Sequence, residues 1–452
     1  MSETWPRVGI GRVLPPIALG LALGLACSQQ PLLTAVGVAG ALVVVACVAQ
    51  PRWLVLLMFL GILFDRLGLT SIRVANFPIT ASKLTVLGSL ALWGLHVALS
   101  RSRLLRWHPV MSGLMGLALA TAVGIAVANS MTNGRFALFG IVMMTVLVGL
   151  VYTSLADVSL NGLYRVLSLA LVGVLILSLA RGGGVGEAAR SSGTMGDPNE
   201  WATMVLLLTP LLLGGLADDR HILARGLRLA LIGLGPLAVL HSGSRAALVV
   251  GLLILPACVW ILRKRGSELV IVGLLAVVAA PFLLNVDVAL RRFDSLVMNL
   301  TGTAVVADAS LDERTELFHQ ARDLFLDHWL IGVGPGNFAE ATGFVTLTGR
   351  VRPAHNTYLE IASEQGLVGL IPTAVLAGIV GWTLWQAIRD APSALHRNRL
   401  VGASLGLMGV ALMAASLGLL TFSMAYLALG FTLAVVAQSE AARARVGRVE
   451  FT

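Results

Sequence analysis

Arg352-Pro-Ala-His355-Asn356-Thr-Tyr358-Leu-Glu360-Ile-Ala-Ser-Glu364-Gln-Gly366 ends the longest polar interval in an otherwise very apolar chain of 452 residues. It places a titratable imidazole immediately before an apolar run. A proline at Pro353, then Asn356 as a helix cap, predicts a helix starting at about Asn356. His355 would then stand at the positive end of that helix dipole, which disfavours the imidazolium. A neutral imidazole can accept a proton from a hydroxyl. Asn356, Glu360 and Glu364 recur every four residues on one helix face, either to orient a polar ligand or simply to meet water. A histidine at such a boundary can equally be structural.

The rest of the chain explains why this boundary matters. Hydrophobic residues make up 57% and charged residues 12%, with a mean hydropathy of +0.87. A soluble domain carries about 25% charged residues, and a globular core cannot hide this much apolar surface. The composition therefore predicts an all-α, polytopic transmembrane helix bundle. About 12–14 spans fit a window of roughly 20 apolar residues. They lie near Val13–Ala26, Pro31–Ala49, Trp53–Phe64, Leu84–Leu99, Pro109–Ala128, Phe136–Tyr152, Val166–Ala180, Trp201–Leu216, Leu229–Leu240, Ala246–Leu262, Leu269–Leu284, Leu367–Trp385, Val401–Leu419 and Met424–Ala437. The first, third and ninth are short enough to be half-helices.

Charge sets the expected orientation. The net charge of +9 comes from arginines in alternate short connections, 19 Lys and Arg on one side against 7 in the short loops of the other. Basic short loops stay in the cytoplasm. Both termini are thus expected inside, and Leu284–Asn356 forms one large outer loop containing amphipathic helices. In a bacterial inner membrane that loop is periplasmic. The basic balance speaks for topology and not for nucleic acid. Cys27, Cys47 and Cys258 show neither metal spacing nor a clear disulfide pattern. No phosphate-cradling Gly-rich loop opens a soluble helix, so ATP use is not expected, and no cofactor is expected. The chain divides into N-terminal spans (1–192), spans carrying an outer arginine (193–285), the large loop (286–356) and C-terminal spans (357–452).

Two arginines face the same outer side as His355. Arg245 follows His241-Ser-Gly-Ser244 at the mouth of a span. A guanidinium there either binds phosphate bidentately or snorkels to lipid head groups. Arg314 begins Arg-Thr-Glu-Leu-Phe-His-Gln-Ala-Arg322, where Phe318, Ala321, Leu324 and Phe325 predict one apolar face of an interfacial helix. Arg314 belongs either to a solvated face or to a site. Asp197-Pro-Asn199-Glu200 opens another span from the same side and reads as a turn and helix start.

In this order these segments resemble the O-antigen ligase and O-antigen polymerase superfamily of membrane glycosyltransferases. Gly196-Asp-Pro-Asn199 resembles the family's Gly-x-Pro-Asn opening, with Asp197 where many relatives have Asn. Ser242-Gly-Ser-Arg245 resembles its Ser-x-Ser-Arg segment. Arg314, Trp329, Gly332, Gly334, Gly336 and Phe338, then His355-Asn-Thr-Tyr358-Leu-Glu360 and Glu364-Gln-Gly366, resemble its periplasmic loop and following helix. The similarity spans roughly Gly193–Pro372.

The resemblance implies a metal- and nucleotide-independent, inverting transferase. It would move a glycan from undecaprenyl-pyrophosphate to a sugar hydroxyl of lipid A–core on the periplasmic face, in contact with membrane lipids. Arg245 and Arg314 would hold the donor diphosphate and His355 would activate the acceptor. Asn356, Tyr358, Glu360 and Asn199 would support acceptor or site. The alternative is a polymerase that joins lipid-linked repeat units onto a glycan acceptor; protein O-oligosaccharyl transfer and polysaccharide transport rank below it. A transporter would want charge at mid-membrane, and the spans are almost free of it.

Overall fold

The computed structural model describes residues 31–64, 72–74, 77–79, 81–100, 105–128, 130–180, 191–195, 197–261, 309–343, 354–420 and 422–449. The spans expected at Val13–Ala26 and Leu269–Leu284 lie outside these residues, as do the loop residues 286–308 and 344–353. The described chain forms α1 (Pro31–Ala49), α2 (Arg52–Leu63), α3 (Ala81–Ser100), α4 (Pro109–Gly124), α5 (Met131–Leu155), α6 (Asn161–Ala180), α7 (Pro198–Leu216), α8 (Ile222–Ser242) and α9 (Arg245–Ile261). Then come α10 (Ala309–Asp327), the short α11 (Phe338–Thr342), α12 (Thr357–Arg389), α13 (Ala394–Met413) and α14 (Ser423–Val449). One small antiparallel ribbon, β1 (Ile72–Val74) with β2 (Phe77–Ile79), interrupts the helical pattern. Among the described residues seven helices are long and apolar enough to cross a membrane, namely α4 to α8, α12 and α14.

Several helices outrun the apolar runs that announce them. The run at Leu229–Leu240 predicts a half-helix, yet α8 spans Ile222–Ser242, a full crossing. Likewise α13 starts at Ala394 and stops at Met413, while the run predicts Val401–Leu419. The physical reason is that Arg228 and Arg399 are buried helix residues with partners, not loop cations. Arg228, 1% exposed, donates to the carbonyls of Leu216 (2.8 Å) and Asp219 (2.7 Å) at the end of α7. A cation there meets the negative end of the α7 dipole and satisfies orphan carbonyls. Arg399 donates to Asn161 and lies 5.1 Å over the Tyr164 ring.

Replacing Arg228 with methionine keeps the volume and removes both bonds. We expect a loss of about 3 kcal/mol, read as a fall of several degrees in the thermal unfolding of detergent-solubilised protein. An unchanged melting temperature would mean that these carbonyls are satisfied otherwise.

The core is a helix-on-helix packing centred on α7, which is buried along nearly its whole length. Its closest neighbour is α13. An added Cβ at Gly402 would lie 2.3 Å from the Pro210 carbonyl oxygen, and one at Gly406 would lie 2.3 Å from that of Leu207. The two backbones touch, the use small residues serve between helices in lipid.

One end of the bundle is laced by charge. Arg106 pairs with Asp157, Arg165 with Asp219 at 2.7 Å, and Arg443 with Asp390 at 2.6 Å. The Arg165 hydrogen bond holds the Asp219 carboxyl below the usual carboxylate range. That brace is therefore intact at neutral pH and is lost only as pH falls through the lowered value. The opposite end carries the C-termini of α4, α6, α8 and α13, the N-termini of α5, α7, α9, α12 and α14, and the α10–α11 segment.

Candidate functional site

His241-Ser-Gly-Ser-Arg245 is a helix-to-helix corner. Ser242 Oγ donates to the Val239 carbonyl (2.6 Å) and closes α8. Gly243, at φ 62°, turns the chain through the left-handed region, which costs glycine nothing. Ser244 then opens α9: its Oγ accepts from Ala247 N at 3.4 Å and its carbonyl from Leu248 N at 3.0 Å. Arg245 is thus the first residue of α9 and is half-buried. A cation is the wrong sign for a helix N-terminus, so the position does not serve helix stability. Guanidinium and helix N-terminus are each a kind of group that attracts anions.

The start of α7 is tied to the same corner. Asp197 caps it, accepting from Asn199 N (2.7 Å) and Glu200 N (3.1 Å), with Pro198 in the first turn. Ser191 N donates to the His241 carbonyl at 3.1 Å. Asn199 therefore stands in the first turn of a helix whose entry segment is bonded to the end of α8.

Directly below Arg245, one turn along α9, Leu248, Val249 and Leu252 line an apolar cleft of about 270 Å³ between α7, α8 and α9. Pro210 and Pro236 are on its far walls.

His355 is positioned by three contacts around it. Asn356 is the α12 N-cap, its Oδ1 accepting from Tyr358 N (3.0 Å) and Leu359 N (3.2 Å), as its place before the apolar run predicts. Thr357 N donates to the carbonyls of Ala414 (2.8 Å) and Leu417 (3.1 Å), and Thr357 Oγ1 donates to Leu417 O at 2.7 Å. Tyr358 OH donates to the Ala411 carbonyl at 2.7 Å. These bonds pin the start of α12 to the end of α13, the helix that also packs against α9. On the other side, Ala354 is buried with Leu317 and Ala321 of α10 and with Phe338. Between these anchors His355 adopts φ 51°, the one non-glycine with positive φ among the described residues. Such backbone is uncommon and clusters at functional sites.

Arg314 lies one turn before Leu317 on the α10 face that meets Ala354. The buried stripe of α10 is Leu317, Ala321 and Leu324, whereas Phe318 is exposed. Ala321 and Leu324 keep the predicted face, while Leu317 and not Phe318 completes it, because Ala354 and Phe338 supply the partner surface. Arg314, Leu317 and Ala321 share that face at helical spacing. So the start of α9, α10 and the start of α12 place Arg245, Arg314 and His355 toward one end of the bundle, with the start of α12 bonded to the end of α13.

Glu360 is half-buried against the 414–419 turn, where an added Cβ on Gly418 would come within 2.8 Å of its carboxylate. Glu364, which shares the Asn356 and Glu360 face, is committed elsewhere. Its carboxylate accepts from Gly336 N (2.7 Å) and Phe338 N (3.0 Å).

That contact belongs to a clamp that sequence alone does not announce. At Gly366 (φ 58°, ψ −150°) α12 kinks and its hydrogen-bond ladder is exchanged with the 329–334 turn. Leu367 N and Val368 N donate to the carbonyls of Trp329 (2.8 Å) and Leu330 (3.0 Å), while Val333 N and Gly334 N donate to those of Ser363 (3.0 Å) and Glu364 (2.9 Å). Buried Asn337 extends the clamp, its Oδ1 accepting from Ser130 N at 2.7 Å. The Gly332-x-Gly-x-Gly336-Asn-Phe338 spacing is the one signal that could have located it.

No curated protein matches this chain. Residues 229–374 match the family model described as O-antigen ligase, an interval that runs from within α8 into α12 and contains Arg245, Arg314 and His355. This segment is what the chain shares with the O-antigen ligase superfamily.

Proposed function

We propose that this protein transfers a glycan from an undecaprenyl-pyrophosphate carrier to a sugar hydroxyl of lipid A–core, at the periplasmic end of the bundle and without metal or nucleotide. What supports this reading is that Arg245 at the start of α9, Arg314 in α10 and His355 before α12 all lie toward the same end of the bundle. In the reaction the acceptor oxygen bonds to the anomeric carbon as the bond from that carbon to the pyrophosphate oxygen breaks. Attack opposite the leaving group inverts the centre. His355 takes the hydroxyl proton, and the two guanidinium groups receive the charge that develops on the departing diphosphate. The apolar cleft beneath Arg245 suits an isoprenoid chain whose diphosphate rests at the corner above it.

The test is transfer by purified protein supplied with lipid-linked glycan, lipid A–core and a chelator, with no nucleotide. Product on lipid A–core is expected. Polymer built on a second lipid-linked repeat would assign the polymerase reaction instead, and no transfer to any sugar acceptor would sink the proposal. In the same assay Arg245→Ala is expected to lower the rate by about 10²–10³-fold, the scale of one lost transition-state donor. Arg245→Lys should recover only part, because an ammonium lacks the bidentate fork. An Arg245→Ala rate equal to wild type would leave that arginine to lipid head groups.

A further inference from the structure

Beside the clamp lies a second cavity, of about 470 Å³, lined by Val127, Asp327, His328, Trp329, Leu330 and Val333 among others. Its size falls within the range of small-molecule sites. Trp329 is 54% exposed although its backbone is fixed by the α12 hydrogen bond, so an indole is held out on a rigid turn. Asp327 and His328 immediately precede it at the end of α10. A carboxylate and an imidazole beside an exposed indole form a poor bed for acyl chains, since burying the charge costs too much. The carboxylate also repels lipid phosphate. The combination fits a neutral polyhydroxylated ring: its C–H face covers the indole, and its hydroxyls donate to Asp327 and exchange hydrogen bonds with His328.

The cavity is also in line with the proposed chemistry. Val333 N donates to the Ser363 carbonyl, and the stretch from His355 through the first turns of α12 to Ser363 covers on the order of 10 Å. A short oligosaccharide bridges that distance. We propose that the Asp327-His328-Trp329 cleft is a glycan-binding subsite that holds a sugar several residues away from the one reacting at His355. This inference rests on the transferase reading.

The experiment compares Trp329→Ala, Asp327→Ala and Trp329→Phe in the purified transfer assay. Each is run with a full-length lipid-linked glycan and with a carrier bearing one sugar, and separately with complete and truncated acceptor. Trp329→Ala and Asp327→Ala are expected to lose about tenfold on the long substrate, the order expected of one stacking or charged hydrogen-bonding partner. They should match wild type on the single-sugar carrier. Trp329→Phe keeps a ring and should stay near wild type. Whichever truncation abolishes the difference, donor or acceptor, identifies the glycan that occupies the cleft.

The subsite is overturned if Trp329→Ala equals wild type on long glycans, or if it loses equally on both carriers. It is also overturned if the variant only lowers the amount of inserted protein at unchanged rate per molecule, which would make Trp329 an interfacial anchor. Wild-type protein that transfers no glycan from either carrier to any acceptor overturns the transferase reading itself, whereas wild-type transfer with an unaffected Trp329→Ala removes the subsite alone.

Discussion

Exchanging His355 for asparagine is expected to lower glycan transfer by about 10²–10⁴-fold, the usual contribution of a positioned general base, while the protein stays folded. Asparagine is the informative substitute. His355 sits at φ 51°, and asparagine is among the few residues that enter the left-handed region readily. Alanine would add backbone strain and confuse chemistry with folding. The amide keeps polarity and approximate size but cannot take a proton at neutral pH. Substrate KM should change little and kcat should carry the loss, because the proton moves only in the transition state. Circular dichroism and thermal unfolding of the variant should overlay wild type. Transfer within about threefold of wild type would exclude His355 as the base.

Substituting Gly366 with valine should be the most damaging single change to the fold of the site. The φ and ψ at this residue belong to a region occupied almost solely by glycine. A Cβ there would lie 2.5 Å from the Leu330 carbonyl carbon and 2.6 Å from its oxygen. Both contacts are backbone and cannot rotate away. Relief requires the 329–334 turn to leave α12, which breaks four exchanged hydrogen bonds and strands the Glu364 carboxylate. A cost on the order of 4 kcal/mol or more follows. Early protease cleavage near residues 329–338 and a lower melting temperature would report it, with loss of transfer as α10 drifts from Ala354. A Gly366→Val protein as protease-resistant as wild type would show that the clamp does not secure the loop.

Membrane class and helical architecture are legible in the residues because lipid leaves a chain few other options, and apolar runs mark where most crossings lie. Helix ends are less legible. Arg225, Arg228, Arg397 and Arg399 look like loop cations in a string, yet all four lie within α8 or α13. A buried guanidinium is tolerated when carbonyls or an asparagine meet it, and those partners are distant in sequence.

The same holds at the site. The Asn356 cap is readable because capping is local. The role of Glu364 is not, since the amides it accepts from lie 28 and 26 residues away. The first turns of α12 and its clamp-facing turns share one periodicity, and only the tertiary fold tells Glu360 from Glu364. The place of Leu317 and not Phe318 in the α10 stripe has the same origin: an amphipathic pattern tells which residues are apolar, not which neighbour will cover them.

The backbone contact between α7 and α13 restricts how the protein can move. With Gly402 and Gly406 set against carbonyl oxygens, neither helix has room to slide or roll past the other. This pair is a fixed frame under the proposed site. Under the proposed function, a bulky sugar polymer would enter and leave past the segments laid over that frame, without rearrangement between α7 and α13.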